Sequence, residues 1–207
     1  MEYEIINSGS DGNCVVIEDM MFDVGVSYKK LKHALPRIKY IFVTHRHTDH
    51  IKPVTFKRII REYPRIKWIV NYNVAETFGV DYFDKLVGDK TSIKLKDRTI
   101  EAFQCIHDVP CSAFVITYND GSNFIYATDT ATLEHAPVRK YDKLFLESNH
   151  DTYKLEQALT QQKKYSYNAY SNGLRHLSTQ KSKEFYYLRR KSRDSEWVEL
   201  HKSSRFY

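Results

Sequence analysis

Residues 44–50 read Thr44-His45-Arg46-His47-Thr48-Asp49-His50 and directly follow the apolar run Tyr40-Ile41-Phe42-Val43. Four metal-ligating side chains therefore fall within six positions at the end of a strand. His45 and His47 stand two apart, so on extended backbone both imidazoles point to one side and can share an ion. Asp49 and His50 come where the chain turns toward a helix, which displaces them to a second ion. Imidazole with carboxylate suits zinc, or a harder first-row ion such as manganese or iron. A lone His-x-His on a solvated loop is common; the full pattern after a buried strand is far more specific.

The elements that must position this cluster follow from pattern. Strands are expected at Tyr3–Asn7, Cys14–Ile17, Met20–Asp23, Ile38–Val43, Ile66–Val70, Thr99–Cys105, Ala113–Tyr118, Phe124–Ala127, Lys143–Leu146 and Trp197–Leu200. Helices are expected over 28–35 up to Pro36, over Val54–Tyr63, from an Asn73 cap through Phe78 to Gly79, and over 152–164 and 179–191. Asn119-Asp120-Gly121 marks a hairpin. Strand-rich hairpins followed by a helix-rich end are consistent with two packed sheets and helices outside. Pattern alone leaves the fold class open. Further ligands are expected at strand ends, where a rigid sheet holds a loop. His107, Asp129 and His201 all lie there. Taken singly, a strand-end Asp reads as a turn former and a strand-end His as a satisfied polar residue.

At 207 residues the chain fits one domain, 1–207, and 42% hydrophobic content argues against disorder. It shows neither a membrane-length apolar run nor a signal-peptide pattern at its start. Three cysteines, Cys14, Cys105 and Cys111, form no disulfide framework, so a reduced, cytoplasmic protein is the simplest expectation. Cys105 and Cys111 flank His107 and read as small core residues rather than ligands. Of the net charge of +6, four units come from residues 181–205, with eight Lys or Arg against four Asp or Glu. Such a segment suits a polyanionic partner or, equally, a solvated helix face.

The order His45-x-His47-x-Asp49-His50, then His107, Asp129 and a late histidine resembles the metallo-β-lactamase-fold hydrolases over essentially the whole chain. That resemblance implies an α/β fold, an αββα sandwich of two packed mixed sheets. Asp23, in Phe22-Asp23-Val24-Gly25, matches the family's early strand-end aspartate, which buttresses the site. The Ser8-Gly9-Ser10-x-Gly12-Asn13 turn, Thr128-Asp129-Thr130, Glu147-Ser148-Asn149-His150-Asp151 and His176-Leu177-Ser178 resemble the small bacterial DNA exonucleases of this fold. The tail from Leu200-His201-Lys202 to Arg205-Phe206-Tyr207 is similar to the closing motif of ribonuclease Z.

The resemblance implies two divalent ions, zinc or alternatively manganese. His45, His47 and His107 would hold one, Asp49, His50 and His201 the other, and Asp129 would bridge. His176 and Arg205 would face the substrate phosphate, and Asp49 joins them in the catalytic set. His150 would lie behind a ligand or on the substrate side. An alternative takes His176 as the last ligand; His201 is preferred for its apolar strand and its offset from Arg205. Arg175 and Lys202 depart from the family pattern and would add positive charge beside the pocket. The implied activity is a phosphodiesterase acting on nucleic-acid ends. The alternative is a phosphodiesterase for cyclic nucleotides, including signalling nucleotides of bacterial defence, as in phage counter-defence. A short enzyme offers a long polymer little surface unless a homodimer supplies it. Tyr153, Tyr165, Tyr167 and Tyr170 are candidates for stacking on bases. A non-catalytic relic would show broken ligands, and none is broken here.

Overall fold

The computed structural model describes residues 1–160, 170–171 and 173–207. The chain divides into two compact units, Met1–Gly88 and Asp89–Tyr207. Each is built on a mixed six-stranded sheet with helices, the α/β architecture expected.

In the first unit, β1 (Tyr3–Asn7), β2 (Cys14–Ile17) and β3 (Met20–Phe22) form an antiparallel meander. β4 (Tyr40–Val43), β5 (Lys67–Asn71) and β6 (Lys85–Val87) extend it in parallel. Parallel neighbours require crossovers. These are α1 (Tyr28–Leu31) with a 3-10 turn at Leu35–Arg37, then α2 (Pro53–Glu62), then α3 (Tyr72–Phe78). β2 and β3 are buried at every position, which explains why they read as unbroken apolar runs. Val16, Ile41, Val43, Trp68 and Val70 pack with Leu31 of α1 and with Phe56 and Ile59 of α2.

Three local expectations shift. The helix over 28–35 is a single turn, and Pro36 sits inside the 3-10 turn that follows it. The cap of α3 is Asn71 rather than Asn73, its side chain accepting the Val74 N–H at 3.0 Å. β5 runs to Asn71 and passes straight into the helix, so its last residue already has the extended backbone a cap needs. β6 and its counterpart β7 (Ser92–Lys94) were not expected, being three-residue edge strands with little buried side chain.

In the second unit, β7, β8 (Arg98–Cys105), β9 (Cys111–Tyr118) and β10 (Asn123–Ala127) run antiparallel. β11 (Lys143–Glu147) and β12 (Glu196–Leu200) add in parallel beyond β10. α4 (Thr152–Thr160) and α5 (Thr179–Arg189) lie in the β11–β12 crossover. The expected helix over 152–164 is present through Thr160; its last four positions, with Tyr165 and Tyr167, lie outside the described residues. Tyr170 packs with Leu155 and Phe206, a core use rather than a base platform, while Tyr153 is exposed. Ser178 caps α5 by accepting the Lys181 N–H. Cys105 and Cys111 face each other across β8 and β9 as free thiols within the core, as expected of small packing residues. Among the described residues no helix is long and apolar enough to cross a membrane.

Gly25 fixes the path of the histidine-rich loop. A Cβ there would lie 1.7 Å from the Asp49 carbonyl oxygen. Gly25→Ala should lower the unfolding free energy by about 2–4 kcal/mol, because backbone rather than a mobile side chain must yield. Urea denaturation measures this; an unchanged midpoint would contradict the close approach.

Candidate metal centre

The first unit contributes the loop that follows β4. His45 is fully buried, and its Nε2 lies 3.0 Å from His47 Nδ1. That separation is close to the roughly 3.3 Å edge of a tetrahedron of zinc–nitrogen bonds. The two-residue spacing thus turns both imidazoles to one side. His50 is buried beside His45, their ring centroids 4.1 Å apart, and its Nε2 lies 3.6 Å from Asp49 Oδ2.

Asp23 organises this loop from beneath. Its carboxylate accepts the Thr44 N–H at 2.8 Å, the Thr44 hydroxyl, and His50 Nδ1 at 2.8 Å. Burial pushes the Asp23 carboxyl up, against the downward pull of His50 and Thr44. Asn13 Nδ2 stands 2.9 Å from His50 Nε2, so Nε2 is the acceptor nitrogen and Nδ1 carries the proton. Anchoring of Nδ1 by a carboxylate is the arrangement of metal-binding histidines; here Nε2 takes the Asn13 amide N–H, which an incoming ion would have to displace. Asn13 also donates to the Asp49 carbonyl through its backbone at 2.7 Å. Asn71 donates to the Thr44 carbonyl at 2.9 Å, holding the other end of the loop.

The second unit gathers four donors. One atom each from Asp129, Glu147, His176 and His201 lies within 4.8 Å of the others. Glu147, the last residue of β11, is fully buried. Its Oε1 lies 2.6 Å from His176 Nδ1 and 3.0 Å from His201 Nδ1, and its Oε2 accepts the Thr130 and Leu177 N–H groups. Burial raises the Glu147 carboxyl, but the two imidazoles outweigh it and hold it below the ordinary value. His201 turns Nε2 toward Asp129 Oδ1, 3.6 Å away, and is nearly buried. His176 Nδ1, held by Glu147, lies 3.7 Å from Asp129 Oδ1, and its ring is more accessible than that of His201. His107 follows β8, its ring centroid 5.8 Å from that of His176, with Nε2 3.0 Å from Asp108. His150 is buried, and its carbonyl accepts the Thr179 N–H; burial lowers its pKa. Arg205 is exposed and forms no ion pair among the described residues.

Asp23, Asp129 and His201 all adopt positive φ, at 63°, 54° and 54°. Each directly follows or closely follows a strand. Such left-handed backbone costs about 1–2 kcal/mol per residue, and strain of this kind gathers at functional sites.

Sequence reasoning gave no individual role to Glu147, Asn13 or Asn149. Asn149 donates to the His201 carbonyl at 2.9 Å and so ties the tail to the segment after β11. A carboxylate closing the apolar run Lys143–Glu147 was the available signal. Arg175 and Lys202, expected to add positive charge beside the pocket, each make a local pair. Arg175 faces Asp108 at 3.6 Å, and Lys202 pairs with Glu199 at 3.1 Å and lies over the Tyr207 ring.

Residues 19–157 match the beta-lactamase superfamily domain, and the chain belongs to that superfamily. No curated protein sequence matches it. Among solved structures it is similar to human tRNase Z, short form, at 18% identity and TM-score 0.70, covering 99% of this chain and 93% of that one. It is also similar to the metallo-beta-lactamase fold protein YhfI from Bacillus subtilis, at 14% identity and TM-score 0.68, with 97% and 85% covered. A diphosphatase from the PhnP family aligns at 14% identity and TM-score 0.62, with 99% and 87% covered. These likenesses establish the metallo-β-lactamase fold.

Glu147→Ala should weaken metal binding by about 10–100-fold, the usual cost of removing a carboxylate behind a ligand histidine. Metal titration followed by elemental analysis checks this. Unchanged affinity in a folded variant would show that Glu147 orients no ligand.

Proposed function

We propose that this chain is a dinuclear-metal phosphodiesterase that cleaves nucleic acid in the manner of a nuclease. The observation that carries the reading is the repeated device of a buried carboxylate on imidazole Nδ1. Asp23 applies it to His50, and Glu147 applies it to His176 and His201. Anchored this way, His50 and His201 would turn Nε2 to a cation, while His176 keeps its outer edge for the substrate phosphate.

In this reading His45, His47 and His107 would hold one ion and Asp49, His50 and His201 the other, with Asp129 as a further ligand. The donor set of nitrogens and carboxylate oxygens fits zinc, and manganese also. Two such ions supply a water nucleophile active at neutral pH and offset charge on a phosphoryl group. Asp49, whose carboxylate is partly exposed, orients the attacking water. His176, held at Nδ1 and open at its other edge, stabilises phosphoryl oxygens and gives its proton to the leaving alkoxide. Arg205, exposed at the tail, is a cation available to phosphate. A phosphate-directed activity is supported by similarity to a tRNase and a diphosphatase, and by the net charge of +6.

His47→Ala and Asp129→Ala should each lose metal and activity together. His176→Ala should keep its metal while turnover falls by about 10²–10⁴-fold. Elemental analysis beside steady-state rates separates the cases. Metal lost with His176 yet kept in His201→Ala would reverse the ligand assignment. The substrate panel is linear DNA, RNA and cyclic nucleotides with zinc or manganese. Digestion of the polymers is expected, and cleavage of the cyclic compounds alone would contradict the nuclease reading.

A further inference from the structure

The metal-binding loop has a second side. His45 and His47 turn toward each other, whereas Arg46 and Thr48 line a cleft of about 760 Å³ within the first unit. Its remaining walls are Pro53, Phe56, Lys57 and Ile60 of α2, Thr77 and Phe78 of α3, and Tyr82. The volume lies within the range of small-ligand sites.

The floor is aromatic. Phe56 meets Phe78 and Tyr82 edge-on, with centroids 5.4 Å and 5.9 Å away. Tyr82 is 54% exposed, so the aromatic surface is open to a ligand. Arg46 and Lys57 are exposed and form no ion pair among the described residues. An aromatic platform beside two unpaired cations complements a flat ring carrying an anion, which is the chemistry of a nucleotide.

We infer that this cleft is a subsite for a flanking nucleotide of a nucleic-acid strand, its base on Tyr82 and Phe78 and its phosphate between Arg46 and Lys57. The inference rests on the phosphodiesterase reading and gives its substrate an extent. Successive residues of one loop serve the two tasks, the odd-numbered histidines chemistry and the even-numbered positions grip. A strand can reach past the loop, whereas a cyclic mononucleotide ends at the scissile phosphate.

The test uses full-length protein stripped of metal with EDTA, and a fluorescein-labelled single-stranded DNA hexanucleotide read by anisotropy. Tyr82→Ala should weaken binding about tenfold, the effect of losing one base stack. Lys57→Ala should reduce the slope of log affinity against log salt by about 0.7, the loss of one phosphate contact on a single strand. Both positions are exposed, and circular dichroism confirms folding. In metal-loaded protein, KM for the strand should rise in both variants with kcat within twofold, while KM for 3′,5′-cyclic AMP stays constant. Wild-type affinity and salt slope in both variants would overturn the subsite. Equal losses for strand and cyclic AMP would overturn the flanking assignment. A wild type that cleaves no phosphodiester yet shows the expected binding losses would end the catalytic reading and leave the subsite standing.

Discussion

A carboxylate sealed from water and bonded to imidazole Nδ1 is the interaction on which the rest of this structure depends. Asp23 and Glu147 are both fully buried, and burial alone would favour their neutral forms. Their histidine partners offset that cost, and breaking such a buried pair costs about 3–5 kcal/mol. The return is orientation. His50 and His201 are each left with one nitrogen anchored and one turned toward an acidic neighbour, Asp49 and Asp129 respectively. A ligand histidine without this support would sample several rotamers and pay to be ordered when an ion arrives.

The sheets explain why those carboxylates can be buried. Asp23 directly follows β3, and Glu147 closes β11, both at ends of apolar strands. Backbone N–H groups from Thr44, Thr130 and Leu177 satisfy their oxygens, so neither charge depends on histidine alone. Positive φ at Asp23, Asp129 and His201 is tolerated because strand hydrogen bonding precedes each bend. The tail is likewise held, with Ser203 N–H on the Asn149 carbonyl at 2.7 Å and Asp151 N–H on the Phe206 carbonyl at 2.7 Å.

Much of this was legible in the amino-acid order. The cluster at 45–50 announces itself because four side chains of metal-ligating type share one loop, and strand-end positions led to His107, Asp129 and His201. Glu147 belongs to a recognisable block but carried no role of its own, since one acidic residue after three hydrophobic positions is indistinguishable from an ordinary strand terminus. Asn13 and Asn149 act through hydrogen bonds to residues 36 and 52 positions away, and no local pattern carries that. β6 and β7 escaped for a different reason: three-residue edge strands have too few buried positions to show alternation. The cap at Asn71 was misplaced by two residues because β5 continues to the helix with no intervening turn.

Anomalous diffraction from crystals grown with zinc tests the central claim most directly. Two peaks are expected, one bonded to His50 Nε2 and His201 Nε2, with Nδ1 of each still held by Asp23 and Glu147. Glu147 itself bonded to an ion, or His201 swung away while His176 takes its place, would contradict the account.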